Sequence, residues 1–107
     1  MTLQNSMTID GLTLEPVDLA MVLAILRRRI PDRTVWVFGS RANGKARKNS
    51  DLDLVIQGSE AIPNDLYNQL VEDFDESDLP IRVDLLDWNR IDNDFKPYIN
   101  KNHVVLV

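Results

Sequence analysis

An aspartate stands inside a run that otherwise has every mark of a buried strand: Asp51-Leu52-Asp53-Leu54-Val55-Ile56. Carboxylates are scarce in strand interiors, because a buried charge without a partner is costly. Alternation along a strand removes the conflict. Leu52, Leu54 and Ile56 turn to one side and enter a core, while Asp51 and Asp53 share the other side, their Cβ atoms ~7 Å apart by the strand rise. The chain must therefore build a sheet with one packed face and one face that is open around these acids. Two carboxylates side by side repel each other and raise each other's pKa, and a divalent cation relieves that repulsion.

The cation has to be an oxygen-bound one. The chain has no cysteine and a single histidine, His103, which excludes disulfide stapling and Cys- or His-cluster metal sites. A small all-oxygen site suits Mg²⁺ or Mn²⁺. With 107 residues and 44% hydrophobic content, the chain is the size of one domain. Its net charge of −5 argues against a general nucleic-acid surface, so no direct nucleic-acid partner is expected. Its cations are nonetheless concentrated, with Arg41, Lys45, Arg47 and Lys48 inside eight positions. The start, MTLQNSMTIDG, is not a signal peptide, and no apolar run approaches the ~20 residues that span a bilayer. A cytoplasmic location with no membrane partner is the expectation.

Element signals run the length of the chain. Residues 1–14 are an unassigned lead-in, or an edge strand over Met7 to Leu14, and 15–107 form the domain. Glu15-Pro16 opens a helix with Leu19, Val22, Leu23, Leu26 and Ile30 on one stripe, closed by Pro31. Arg27, Arg28 and Arg29 complement its dipole as a solvated end. Thr34 to Phe38 reads as a strand, Ser40 to Ala46 as a short helix and Asp51 to Ile56 as a strand. A helix follows from Pro63-Asn64, with Leu66, Leu70, Val71 and Phe74 inside, then a strand over Ile81 to Leu86. Trp88 to Asn100 reads as a helix presenting Ile91, Phe95 and Ile99, with Asp87 as its N-cap, and Val104 to Val107 as a last strand. The fold class is α/β (α+β), a short mixed sheet with helices packed on one face.

A third acid joins the pair. In IRVDLLDW, Val83 and Leu85 face the core, so Asp84 faces the other side with Arg82 and Leu86. If that strand lies beside the second, Asp51, Asp53 and Asp84 make a cradle for two ions, which orient an incoming hydroxyl and stabilise a leaving pyrophosphate. Asp84 would help deprotonate the hydroxyl. Upstream, Gly39 permits a tight turn close to a phosphate, and Ser40 opens a short helix whose N–H groups attract phosphate oxygens. Arg41, Arg47 and Lys48 are within reach of the same triphosphate.

Gly39, Gly44 and Lys45 almost spell a P-loop, but Ala46 stands where that loop needs Ser or Thr, and such domains need a larger parallel sheet. A glycosyltransferase also uses an Asp-x-Asp metal site, in a considerably longer domain.

Gly39-Ser40, ten residues, then Asp51-Leu52-Asp53, with a later strand aspartate, resembles the nucleotidyltransferase superfamily of DNA polymerase β. The small size, the GSRANG and SDLDLV blocks and the tail VDLLDWNRIDNDFKPYI resemble its minimal nucleotidyltransferase (MNT) branch, over about Leu19 to Val107. The resemblance implies a polymerase β-like fold, metal binding at Asp51, Asp53 and Asp84, triphosphate binding at Gly39 and Ser40, ATP as substrate and a HEPN-domain toxin, an RNase, as partner. It implies an antitoxin that transfers AMP to a tyrosine of that partner.

Plainer readings stand beside these. Asn49-Ser50-Asp51 is turn-like, and Arg41 and Lys48 are equally compatible with a solvated surface. Tyr67, Trp88 and Tyr98 read as core or interface edges, with nothing in the sequence to single one out for stacking on adenine. His103 reads as structural. Two other functions fit the pattern: a catalytically inactive module that neutralises a toxin by contact, and nucleotidyl transfer to a small molecule, for which this chain carries no acceptor domain.

Overall fold

A computed structural model describes residues 8–107, so Met7 and the rest of 1–7 lie outside the described residues. Strand β1 (Val35–Phe38) is the centre of the architecture. It pairs antiparallel with β2 (Leu52–Ile56) on one side and with β4 (His103–Val105) on the other, while β2 pairs parallel with β3 (Val83–Asp87). The sheet order is β3-β2-β1-β4. Helix α1 (Pro16–Arg29) precedes β1, the single-turn α2 (Ser40–Asn43) follows it, α3 (Asn64–Asp75) carries the crossover from β2 to β3, and α4 (Lys96–Lys101) precedes β4.

Alternation divides the sheet as the sequence demands. Val35, Val37, Leu52, Leu54, Ile56 and Leu85 pack with Leu19, Val22, Leu26, Leu70 and Phe74 of the two long helices in the main core. The opposite face has a smaller cluster, in which Phe38 and Val55 meet Ile99 of α4 with Trp36, Leu86, Trp88 and Ile91 around them. Asp53 and Asp84 occupy this second face, beyond that cluster. The long helices thus cover one face, and α4 covers part of the other.

Four local readings change. Trp88 to Phe95 is a chain of turns and bends, and only Lys96–Lys101 is helical. Ile91 and Ile99 reach the same cluster without a helix between them. Asp87 is accordingly no helix N-cap. It ends β3 almost fully buried, and its carboxylate accepts the N–H of Ile62 at 2.8 Å and of Asn89 at 2.9 Å, pinning the loop before α3 to the strand end. The segment before α1 shows no strand over residues 8–14. It turns at Gly11, Thr13 donates its N–H to the Arg41 carbonyl at 2.8 Å, and Ile9, Leu12 and Leu14 lie on the main core. The cationic end of α1 is also not simply solvated. Arg29 forks onto Asp73 of α3 at 2.7 and 3.2 Å and Arg28 adds a contact at 3.2 Å, which holds the Asp73 carboxyl below its usual range. Among the described residues no helix is long and apolar enough to cross a membrane.

Candidate active site

Register brings the acids together. Phe38 faces Asp53 across the β1–β2 ladder, and Asp53 faces Asp84 across the parallel β2–β3 ladder. Cross-strand partners point to the same side, so one row on the open face reads Phe38, Asp53, Asp84. Asp51 lies just ahead of β2. Half-burial, then the charges of Asp84 and Asp51 and the Asp84 carboxyl within proton-sharing reach, push the Asp53 carboxyl up to about 6 from 3.8. Arg82 opposes this weakly, because its guanidinium is paired with Asp84 Oδ1 at 2.9 Å.

Gly39 closes the row at the β1 end. Its backbone has φ +74°, a left-handed conformation that disfavours a side chain, and a Cβ added there would run into the Asp53 carboxylate. Glycine at this position thus lets the β1–α2 turn lie directly against the acid. Ser40 follows as the first residue of α2, which Gly44 ends in the left-handed conformation at φ +80°.

The residues present fit a divalent cation. Every donor is a carboxylate oxygen, and burial, then the charges of Asp84 and Asp51, raise the Asp53 carboxyl to about 6. A hard ion replacing its proton would relieve the repulsion among these acids. Among the described residues no three His, Cys, Asp or Glu side chains stand close enough together to hold a metal ion as they are placed.

Arg41 requires a correction. Its side chain is buried, and the guanidinium is engaged by backbone carbonyls: Thr13 at 2.9 Å, Ser50 at 2.8 and 3.1 Å, Lys48 at 3.3 Å and Arg47 at 3.5 Å. It anchors the 47–50 loop to the N-terminal segment instead of reaching a triphosphate. The helical turn that leaves Ser40 at the open end sends the next side chain underneath. Lys48 is exposed and lines, with Thr13, Asp18, Arg41, Arg47 and Pro80, a cavity of about 490 Å³, to which none of the three acids contributes. Arg82 was the residue without an assigned role. Its signal was its place two positions before Asp84 on the same strand face.

The sequence profile of the family described as Polymerase beta, Nucleotidyltransferase matches residues 17–107. This chain belongs to that family. Within the polymerase β nucleotidyltransferases, it is 50% identical over 95 residues to a probable protein adenylyltransferase MntA of Haemophilus influenzae, covering 89% of this chain and 83% of that one. A protein adenylyltransferase MntA of Thermococcus cleftensis is 39% identical over 61 residues, or 57% of this chain and 61% of that one. Solved nucleotidyltransferase-like folds agree. A toxin–antitoxin crystal structure with AMP-PNP has a chain superposing at a TM-score of 0.69 with 23% identity, over 83% of this chain and 72% of that one. A complex of tri-AMPylated Shewanella oneidensis HEPN toxin with MNT antitoxin gives 0.57 with 19% identity, over 85% and 70%. These distant structures establish the shared fold. As a member of the family, the chain is a nucleotidyltransferase.

Proposed function

We propose that this nucleotidyltransferase is an antitoxin that transfers AMP from ATP to a tyrosine hydroxyl of a HEPN-type RNase toxin. The observation that carries the reading is the Phe38–Asp53–Asp84 row with the Gly39 turn pressed against Asp53. Relatives named as protein adenylyltransferases support the choice of AMP and of a protein acceptor.

In this reading Gly39 and Ser40 hold the triphosphate, with Lys48 a further cation within the same loop system. Asp51, Asp53 and Asp84 would hold two Mg²⁺ ions, or Mn²⁺. When bound, the ions neutralise charge on the phosphates and on the departing pyrophosphate. The acceptor oxygen approaches the α-phosphorus from the Asp84 side, and its proton passes toward Asp84. The new O–P bond forms as the bond to the β-phosphate oxygen breaks, and pyrophosphate leaves. Arg82, paired with Asp84 at 2.9 Å, orients that acid. With most of its chain in sheet, helices and cleft, the domain has little left for an acceptor pocket, so the partner must present its own hydroxyl. Proximity then supplies much of the rate.

The test is to co-purify the chain with its partner, separate them, and weigh the partner by intact mass spectrometry before assaying RNA cleavage. A partner heavier by whole AMP units and inactive after separation is expected. An unmodified partner that regains full activity would replace this proposal with neutralisation by contact.

A further inference from the structure

The aromatic side chains of the described chain are absorbed by packing, with two exceptions. Trp36 stacks on His103 at 3.9 Å and meets Trp88 edge-on at 5.7 Å, while the Tyr67 hydroxyl is fixed on the Leu85 carbonyl at 2.8 Å. Phe38 and Phe74 are buried. Phe95 and Tyr98 remain exposed, at 37% and 53%. They stack on each other with centroids 5.4 Å apart and planes 27° from parallel. Phe95 in turn meets Phe38 edge to face at 5.8 Å. Phe38 is the cross-strand neighbour of Asp53 and immediately precedes Gly39. A ledge of two open rings therefore begins one ring away from the acid row, on the side opposite Asp84.

We propose that Tyr98, backed by Phe95, is the platform on which the base of the nucleotide substrate stacks. This inference rests on the nucleotidyl-transfer reading above and adds to it the residues that receive the base. Direction along the row carries the argument. The α-phosphorus has to lie at Asp53, and the acceptor hydroxyl needs the Asp84 side. The Phe38 side is left for the remainder of the nucleotide, and the exposed rings are there. The chemistry agrees, since a flat base gains from stacking on an aromatic face whatever its edge groups. Phe95 stacks on one face of Tyr98, which limits the side-chain freedom lost on binding. Stacking reads ring area more than hydrogen-bonding edges, so ATP and GTP are held comparably and the smaller pyrimidine ring of CTP more weakly.

The experiment uses calorimetry in Mg²⁺ on the wild-type chain and on the Tyr98→Ala, Tyr98→Phe and Asp53→Asn variants, with ATP and inorganic tripolyphosphate as probes. Tyr98→Ala is expected to weaken ATP about tenfold and leave tripolyphosphate unchanged, with Tyr98→Phe within about twofold of wild type. Unchanged ATP affinity in Tyr98→Ala, while Asp53→Asn still abolishes it, overturns the platform and leaves the transfer reading standing. If Tyr98→Ala instead loses only its hold on the protein partner, the ledge is a protein interface and the stacking proposal falls. A parallel loss of tripolyphosphate also overturns it, because Tyr98 is assigned the base alone. A wild-type chain that binds neither probe overturns the transfer reading and the platform together.

Discussion

Gly39 and Asp53 are packed so closely that no side chain fits between the β1–α2 turn and the carboxylate. The acid is thus positioned by backbone, which does not change rotamer, and the turn is held next to the group whose charge it must complement.

The Gly39→Ala variant suffers twice, from a methyl group that displaces the Asp53 carboxylate and from a left-handed backbone at +74°. A stability loss of roughly 1–3 kcal/mol is expected, with transfer activity falling further than stability accounts for. Denaturant titration beside a rate measurement on the folded fraction separates the two. Wild-type activity in a folded Gly39→Ala protein would contradict the close approach.

Asp53→Asn should abolish AMP transfer and leave the fold intact, because the side chain lies on the open face. Removing charge from a crowded acid row is expected to raise the melting temperature in EDTA. Thermal unfolding and labelled-ATP transfer measured on one preparation give both answers, and retained activity would remove Asp53 from the metal site.

The pH dependence follows from the same group. The folded-state pKa of Asp53, about 6, lies above its ordinary 3.8, so the folded protein binds this proton more tightly than the unfolded chain. The associated stability is present in full below the ordinary value and is lost as pH rises through about 6. After allowance for solvent screening of a half-buried carboxyl, the loss is about 1 kcal/mol. Urea midpoints in EDTA at pH 5 and pH 8 should differ less in Asp53→Asn than in wild type. An equal difference would show that this carboxyl titrates normally.

Arg41 is predicted to act on stability. Arg41→Ala strips four backbone carbonyls of a charged donor in a buried setting, a loss of roughly 2–4 kcal/mol. Arg41→Lys should recover little, because an ammonium cannot fork across Thr13 and Ser50 together. Lys48→Ala should leave stability within about 0.5 kcal/mol while weakening ATP severalfold. Equilibrium unfolding and ATP affinity of the three variants check the division, and an Arg41→Ala protein of normal stability with weakened ATP would restore Arg41 to the nucleotide.

What could be read from sequence was whatever depended on alternation. The placing of Asp53 and Asp84 on one face required only that Leu52, Leu54, Val83 and Leu85 enter the core, and both strands obey. The segment after β3 failed because Ile91, Phe95 and Ile99 match helical spacing, yet looped turns bring Ile91 and Ile99 to the same cluster and leave Phe95 exposed. Pro97 was the contrary signal, since proline belongs at a helix start and not in its middle, and α4 begins one residue before it. Asp87 and Arg41 escaped for a shared reason. Each meets backbone groups distant in the chain, Ile62 for one and Thr13 for the other, and spacing along a sequence carries no trace of such partners.

The β2–β3 pairing, the single parallel ladder of the described sheet, also sets when activity can arise. Asp53 and Asp84 become neighbours only after α3 has formed and swung the chain back beside β2. Closing a crossover of that length is slower than closing a hairpin. A chain still emerging from the ribosome can pair β1 with β2 while its third acid is unmade or unplaced. Catalytic competence therefore waits on the return of the chain through α3, which makes the crossover, and not the acids alone, a condition of the site.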